Sequence, residues 1–352
     1  MGAAAGMWVY WFMFLVPALT SISPYRVDRI SRFFIISISG LTLMVLIGLR
    51  DHVGHDWNNY MKMFFRDESR DLIGAATSVE PAYTLLDWFS SRLGWDVYGV
   101  NAACAVILVS GLFAFCRRQP NFWRTLAMSI PVMVIGIGMG ATRQATAIGL
   151  LMFAFNAFVD RKLIRYLIFV TLAVLFHRTA AVFFLPAWFI HNRFSILPLV
   201  VGGLVFFVVS NFFLKDAMGY YTDSYVGADI VASGALPRIA MNVAAAGAFF
   251  YFRRRWNEVY DDGHLYTLMS GVTILMSLAV FNSPAATDRM SMYLLPIQVA
   301  IFSRLPEMFD PSRRTAITVA VFGLYAAVLF VWLNFSYFAA TSWIPYSNLL
   351  WS

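Results

Sequence analysis

Charge is scarce in this chain. Asp, Glu, Lys and Arg make up 13% of its 352 residues, against 60% hydrophobic side chains. With so little charge and many apolar runs close to the roughly 20 residues that span a bilayer, the sequence reads as an all-α, polytopic integral membrane protein. Cysteine is scarcer still. Cys104 and Cys116 are the two present, and on one predicted helix they stand about 18 Å apart along its axis, too far to bridge. They carry no redox or metal signal. No positive charge precedes the apolar segment Met7 to Thr20, and the first, Arg26, follows it, so that segment reads as a retained anchor and not a cleaved signal peptide. There is no Pro/Gly/Ser-rich linker, no low-complexity tract and no internal repeat, which leaves one membrane domain over residues 1–352.

The apolar runs predict helices near 5–21, 33–49, 97–115, 125–139, 144–158, 163–176, 179–190, 195–213, 237–252, 264–282, 289–303 and 315–334. Twelve spans put both termini on one side. Sixteen of the 26 Lys and Arg gather in alternate loops (Arg26, Arg29 and Arg32; Arg117, Arg118 and Arg124; Arg161, Lys162 and Arg165; Arg193; Arg253 to Arg255; Arg304, Arg313 and Arg314), and by the positive-inside rule those loops are cytoplasmic. The net charge of +7 is therefore an orientation signal, and no nucleic-acid partner is expected. Two long loops, 50–96 and 214–236, face outward with both termini. In the first, VEPAYTLLDWFSSRLGW alternates apolar and polar faces at helical spacing, as an interfacial helix lying on the membrane would.

The polar chemistry also faces outward. GLRDHVGHDWNNY crowds Arg50, Asp51, His52, His55 and Asp56 into seven positions at the mouth of the second apolar run, with Trp57 and Tyr60 beside them. That mixture suits sugar hydroxyls and general-base work, and no separated partner completes a metal site. ATRQATAIGLL opens a helix with Arg143, where a guanidinium and helix N-terminal donors together suit a phosphate. From Arg165 to His177 is about 18 Å of helix, whereas the hydrocarbon core is about 30 Å thick. The His177–Arg178 pair is therefore expected at a recessed hairpin tip, where buried ionisable groups default to function. Glu80, ahead of Pro81, and Asp288–Arg289 in TDRM are helix-end charges on the same face; the last two can simply pair or cap their helix.

In order, LRDHVGHDWNNY, VEPAYTLL, TRQATAIGLLMF, FHRTAAVFFLP and TDRMSMYLLP resemble the EpsG family of exopolysaccharide polymerases, relatives of the Wzy-type polymerases. Arg50, Gly54, Asp56, Tyr60, Glu80, Arg143, His177 and Arg289 match the family pattern; His52, His55 and Arg178 do not come from it. The resemblance covers about residues 30–305. It implies a bacterial inner-membrane enzyme, similar in architecture to lipid-carrier (GT-C-like) glycosyltransferases, with both termini periplasmic. Such an enzyme joins polyprenyl-diphosphate-linked oligosaccharide repeat units, one as donor and one as acceptor, without a metal or other cofactor. Exopolysaccharide export and chain-length components are possible partners. In those terms Asp56, His177 and Glu80 are the candidate bases, and Arg50, Tyr60, Arg143, Arg178 and Arg289 the residues for diphosphate and glycan. Two alternatives compete: a glycosyltransferase using a polyprenyl-phosphate sugar and, more distantly, a lipid-linked oligosaccharide flippase, which would show two related halves.

Overall fold

A computed structural model gives the fold for residues 2–25, 27–191, 235–278 and 284–351; ten of the twelve apolar runs lie within them, an eleventh, 264–282, does so as far as residue 278, and each of these runs is helical where it is described. The expected helix 195–213 and residues 214–234 of the second outer loop, with Tyr220, Tyr221 and Tyr225, lie outside the described residues. In chain order the helices are α1 (Gly2–Ile22), α2 (Arg29–Gly48), α3 (Trp57–Glu68), α4 (Leu72–Ala76), α5 (Pro81–Arg92), α6 (Asp96–Cys116) and α7 (Phe122–Ser129). Then come α8 (Thr142–Val159), α9 (Leu163–Phe176), α10 (Ala235–Val259), α11 (Gly263–Ser277), α12 (Pro284–Ser291), α13 (Leu295–Arg304), α14 (Arg314–Phe335) and α15 (Tyr337–Ser342). No strand occurs among the described residues; one isolated bridge joins Arg50 to Asn348.

Three of these segments are long and apolar enough to cross a bilayer, Arg29–Gly48, Asp96–Cys116 and Pro311–Phe335, and four shorter ones are apolar, Gly6–Ile22, Phe122–Gly138, Leu163–Phe176 and Arg178–Ile190. Two expected spans depart from regular α-helix. After α7 the chain widens into a π-helical stretch, Ile130–Gly138, where Pro131 supplies no N–H to a regular ladder. Residues Arg178–Ile190 form a 3-10 helix, whose rise of about 2 Å per residue gives this short segment more reach than an α-helix of equal length.

Close crossings join the central helices. A Cβ on Gly111 of α6 would meet the Gly149 carbonyl oxygen of α8 at 1.9 Å, so the two helices touch backbone to backbone, as small residues permit in membranes. α9 lies on the other flank of α8, and α5 lies across α6 and α9. The first loop holds three helices, α3 to α5, where the sequence pattern predicts one. On α5 the buried face is Tyr83, Thr84, Asp87 and Ser90, and Phe89 and Leu93 are exposed: the polar stripe points into the protein.

A C-terminal strap closes the end where α2 runs into the first loop. Asp51 N–H donates to the Ser347 carbonyl at 3.0 Å, Gly54 N–H to that of Ser342 at 2.7 Å, and the Tyr346 hydroxyl to that of Leu46 at 2.7 Å. α1 starts here too, since the Tyr10 hydroxyl donates to the Trp343 carbonyl, while at its far end the Ser21 carbonyl accepts from Asn121. Both chain ends thus share the end of the bundle that carries residues 50–60. Gly54 sits at φ +112, and a Cβ there would meet the Met139 carbonyl oxygen at 2.0 Å. Gly54→Ala combines that clash with a backbone conformation costing about 1–3 kcal/mol. We expect a lower thermal midpoint in detergent and a parallel loss of activity; a variant as stable as wild type would show that the loop shifts freely.

Candidate active site

Glu80 is the centre of a cluster of charged and polar side chains. Pro81 starts α5 directly after it, and the Glu80 side chain makes no bond to its own helix, which leaves both oxygens for other segments. Oε1 lies 2.7 Å from the His177 Nδ1 and accepts from the Arg178 backbone N–H at 3.1 Å. Oε2 accepts from the Arg143 Nη1. Glu80 is 8% exposed. Burial alone would raise its pKa, but the His177 hydrogen bond, the Arg143 charge and the Arg178 N–H together outweigh it and hold the carboxyl down at about 2. Glu80 is therefore an ionised acceptor, and the Nδ1 of His177 donates to it, which leaves Nε2 on the far edge of the ring. Among the described residues nothing bonds Nε2, and the His177 side chain keeps 17% of its surface exposed.

His177 reaches this place because α9 ends at Phe176 and the next residue turns extended, φ −153, ahead of the 3-10 helix. The turn between the two helices is there, held against Glu80 at the N-terminus of α5. Behind it the buried Tyr293 hydroxyl pairs with Thr179 Oγ1 at 2.7 Å. Arg143, in the first turn of α8, faces the rings of Tyr60 and Tyr83, each 5.9 Å from its guanidinium carbon, a cation–π geometry. Its backbone N–H donates to the Tyr60 hydroxyl at 3.4 Å, so one of the helix-end donors expected for phosphate is taken within the protein. Burial pushes the Tyr60 phenol up to about 12, and it stays protonated.

The other predicted residues divide. Arg289 is exposed beside the cluster, and its carbonyl accepts from Gln144, next to Arg143, at 2.6 Å. Asp288 takes Arg238 in a two-pronged bond at 2.9 and 2.6 Å. Asp56 stands partly exposed one turn ahead of Tyr60 on α3, where Asn59 donates to it at 3.3 Å; no bond links it to Glu80. Arg50 is apart from the cluster. At 1% exposed, it donates to the carbonyls of Ile47, Val53 and Met139 and to Asn101 and Thr142, tying the end of α2 to the end of the π-helical stretch and to α8. Sequence reasoning missed Tyr83, Asp87, Thr179 and Tyr293. The spacing of Glu80, Tyr83, Thr84 and Asp87, one stripe of a helix, was the available signal.

The EpsG family model matches residues 33–348. The chain belongs to the EpsG family. No curated protein and no solved structure matches it. The match runs from α2 to the strap, so the Glu80 cluster and the segment that closes it lie within the EpsG unit. Membership makes this an all-helical membrane protein with, in general terms, an exopolysaccharide polymerase-type function.

Proposed function

We propose that this EpsG family protein is a glycosyltransferase of the bacterial inner membrane that joins polyprenyl-diphosphate-linked oligosaccharide repeat units at the periplasmic face. The observation that carries the reading is the Glu80 carboxylate, bonded to His177 on one side and to Arg143 on the other. In this mechanism the His177 Nε2 takes the proton from an acceptor hydroxyl, and Glu80 steadies the imidazolium that forms. The acceptor oxygen attacks the anomeric carbon of the donor, and the bond to the diphosphate breaks with its electron pair going to the leaving group. Arg143, Arg178 and Arg289 meet that charge. Tyr60, buried against Tyr83 and Arg143, braces the arginine from behind. Arg50 has its donors committed to carbonyls and holds the loop. Twelve spans with both termini periplasmic agree with the shared end of the two termini and the arginine-rich loops at the other.

Purified protein in lipid nanodiscs, given one lipid-linked repeat unit as both donor and acceptor, is expected to produce a ladder of products. Growth by a single step would favour transfer of one sugar from a polyprenyl phosphate, and no growth would sink both enzymatic readings.

A further inference from the structure

Of the buried acids among the described residues that the proposed chemistry does not use, Asp87 is the one with no partner. Asp87 is 1% exposed, and among the described residues neither of its oxygens has a hydrogen-bond partner. Near it the Tyr83 hydroxyl and the Arg143 Nε are likewise buried without one. Buried polar atoms are nearly always satisfied, commonly by ordered water where no protein group serves. Tyr83 precedes Asp87 by one turn on α5. From α3, Arg66 and Asp67 act on Asp87; from α8, Arg143 does; and Cys104 on α6 lies within reach of its charge. Asp67 is a telling contrast. Equally buried, it accepts from Arg66 at 2.8 and 3.0 Å and from Arg70 at 2.8 Å, whereas Asp87 accepts from neither.

We propose that Asp87 is a positioning residue for Arg143, a carboxylic acid that with the Tyr83 hydroxyl holds the Nε edge of the guanidinium through buried water while Nη1 stays on Glu80. The proposal rests on the reading of Arg143 as a ligand of the diphosphate. An acid serves here because it can donate as well as accept, and because it leaves the arginine its charge. Burial, reinforced by Asp67 and opposed by Arg143 and Arg66, pushes Asp87 up to about 8. Above that value a second carboxylate stands beside Arg143, competes with Glu80 and with the substrate for it, and sets an alkaline limit on the enzyme.

Two measurements on the full-length protein in nanodiscs test this. Chain growth by wild type should fall above about pH 8, by about tenfold for each further unit, whereas Asp87→Asn, which keeps the shape and stays neutral, should retain activity at pH 7 and show no such fall. A purely structural Asp87 would change the thermal midpoint and leave the profile alone. Infrared difference spectra of wild type against Asp87→Asn should show the carbonyl stretch of a protonated carboxylic acid at pH 7, lost on raising the pH through about 8. An alkaline fall shared by Asp87→Asn, an Asp87→Asn protein that binds donor lipid but is inactive at pH 7, or the absence of the protonated-acid band would each overturn the proposal. The infrared band needs no turnover, so it decides the state of Asp87 even if the polymerase reading fails.

Discussion

Glu80→Gln is expected to lower chain growth by about a thousandfold or more while leaving the protein folded and inserted. The carboxylate does two things that an amide of the same shape cannot. As an acceptor at both oxygens it fixes the proton on the His177 Nδ1 and keeps the Nε2 lone pair free; an amide can turn its NH2 group to Nδ1 and reverse that tautomer, a change worth up to about 10⁴ where a histidine base depends on its partner. As a charge it also balances Arg143, so the variant leaves a guanidinium that is free to drift towards solvent. Glu80→Asp keeps the charge but shortens the reach across three segments, and partial activity is the expected result. Product quantified from lipid-linked repeat units, beside donor binding as a check on folding, decides it. Turnover by Glu80→Gln within tenfold of wild type would remove the carboxylate–imidazole pair from the mechanism. The sign of its pH dependence is also set: with its pKa lowered from 4.5 to about 2, the stability that ionised Glu80 contributes is complete above pH 4.5 and is lost only as the pH falls towards 2.

How far the sequence could be read depended on which solvent each residue turned out to face. Apolar runs mark helices because lipid and protein interior make the same demand on them, and so α1, α2, α6 and α14 lie close to where hydropathy places them. His177 drew notice for a related reason, the short count of residues from Arg165, and the structure brings it to Glu80. Arg50 is expected among the residues for diphosphate and glycan, yet the carbonyl ends of α2 and the π-helical stretch meet beside it and take up its donors, a packing that no local pattern in the sequence announces. The stretch expected as an interfacial helix is helical as α5, but its alternating faces do not say which one turns inward: Phe89 and Leu93 are exposed and Asp87 is buried. The strap from Tyr337 to Asn348 has neither a long apolar run nor a charge cluster, and its part in closing the site is carried by backbone bonds that leave no pattern in the sequence.

His177→Gln is expected to abolish chain growth, with a loss of about 10²–10⁴ if general-base catalysis is all that it removes, whereas Asp56→Asn should stay within about tenfold of wild type. Both acids of the first loop and the histidine are candidates from the residues alone, and position separates them. Glu80 is committed at both oxygens and held ionised at about 2, too weak a base for a hydroxyl proton and already occupied. Asp56 stands at the N-terminus of α3 with Asn59 as its one side-chain partner among the described residues, and no bond ties it to Arg143, the residue proposed to meet the leaving group. His177 has its Nδ1 anchored on the same carboxylate that holds Arg143, so in the proposed mechanism base and leaving-group ligand are fixed relative to one another through a single side chain. A transferred sugar would contact both at once, which is the geometric demand that this shared anchor would meet. The opposite outcome, an inactive Asp56→Asn with substantial turnover by His177→Gln, would move the base to α3 and leave the Glu80–His177 pair as a brace for Arg143.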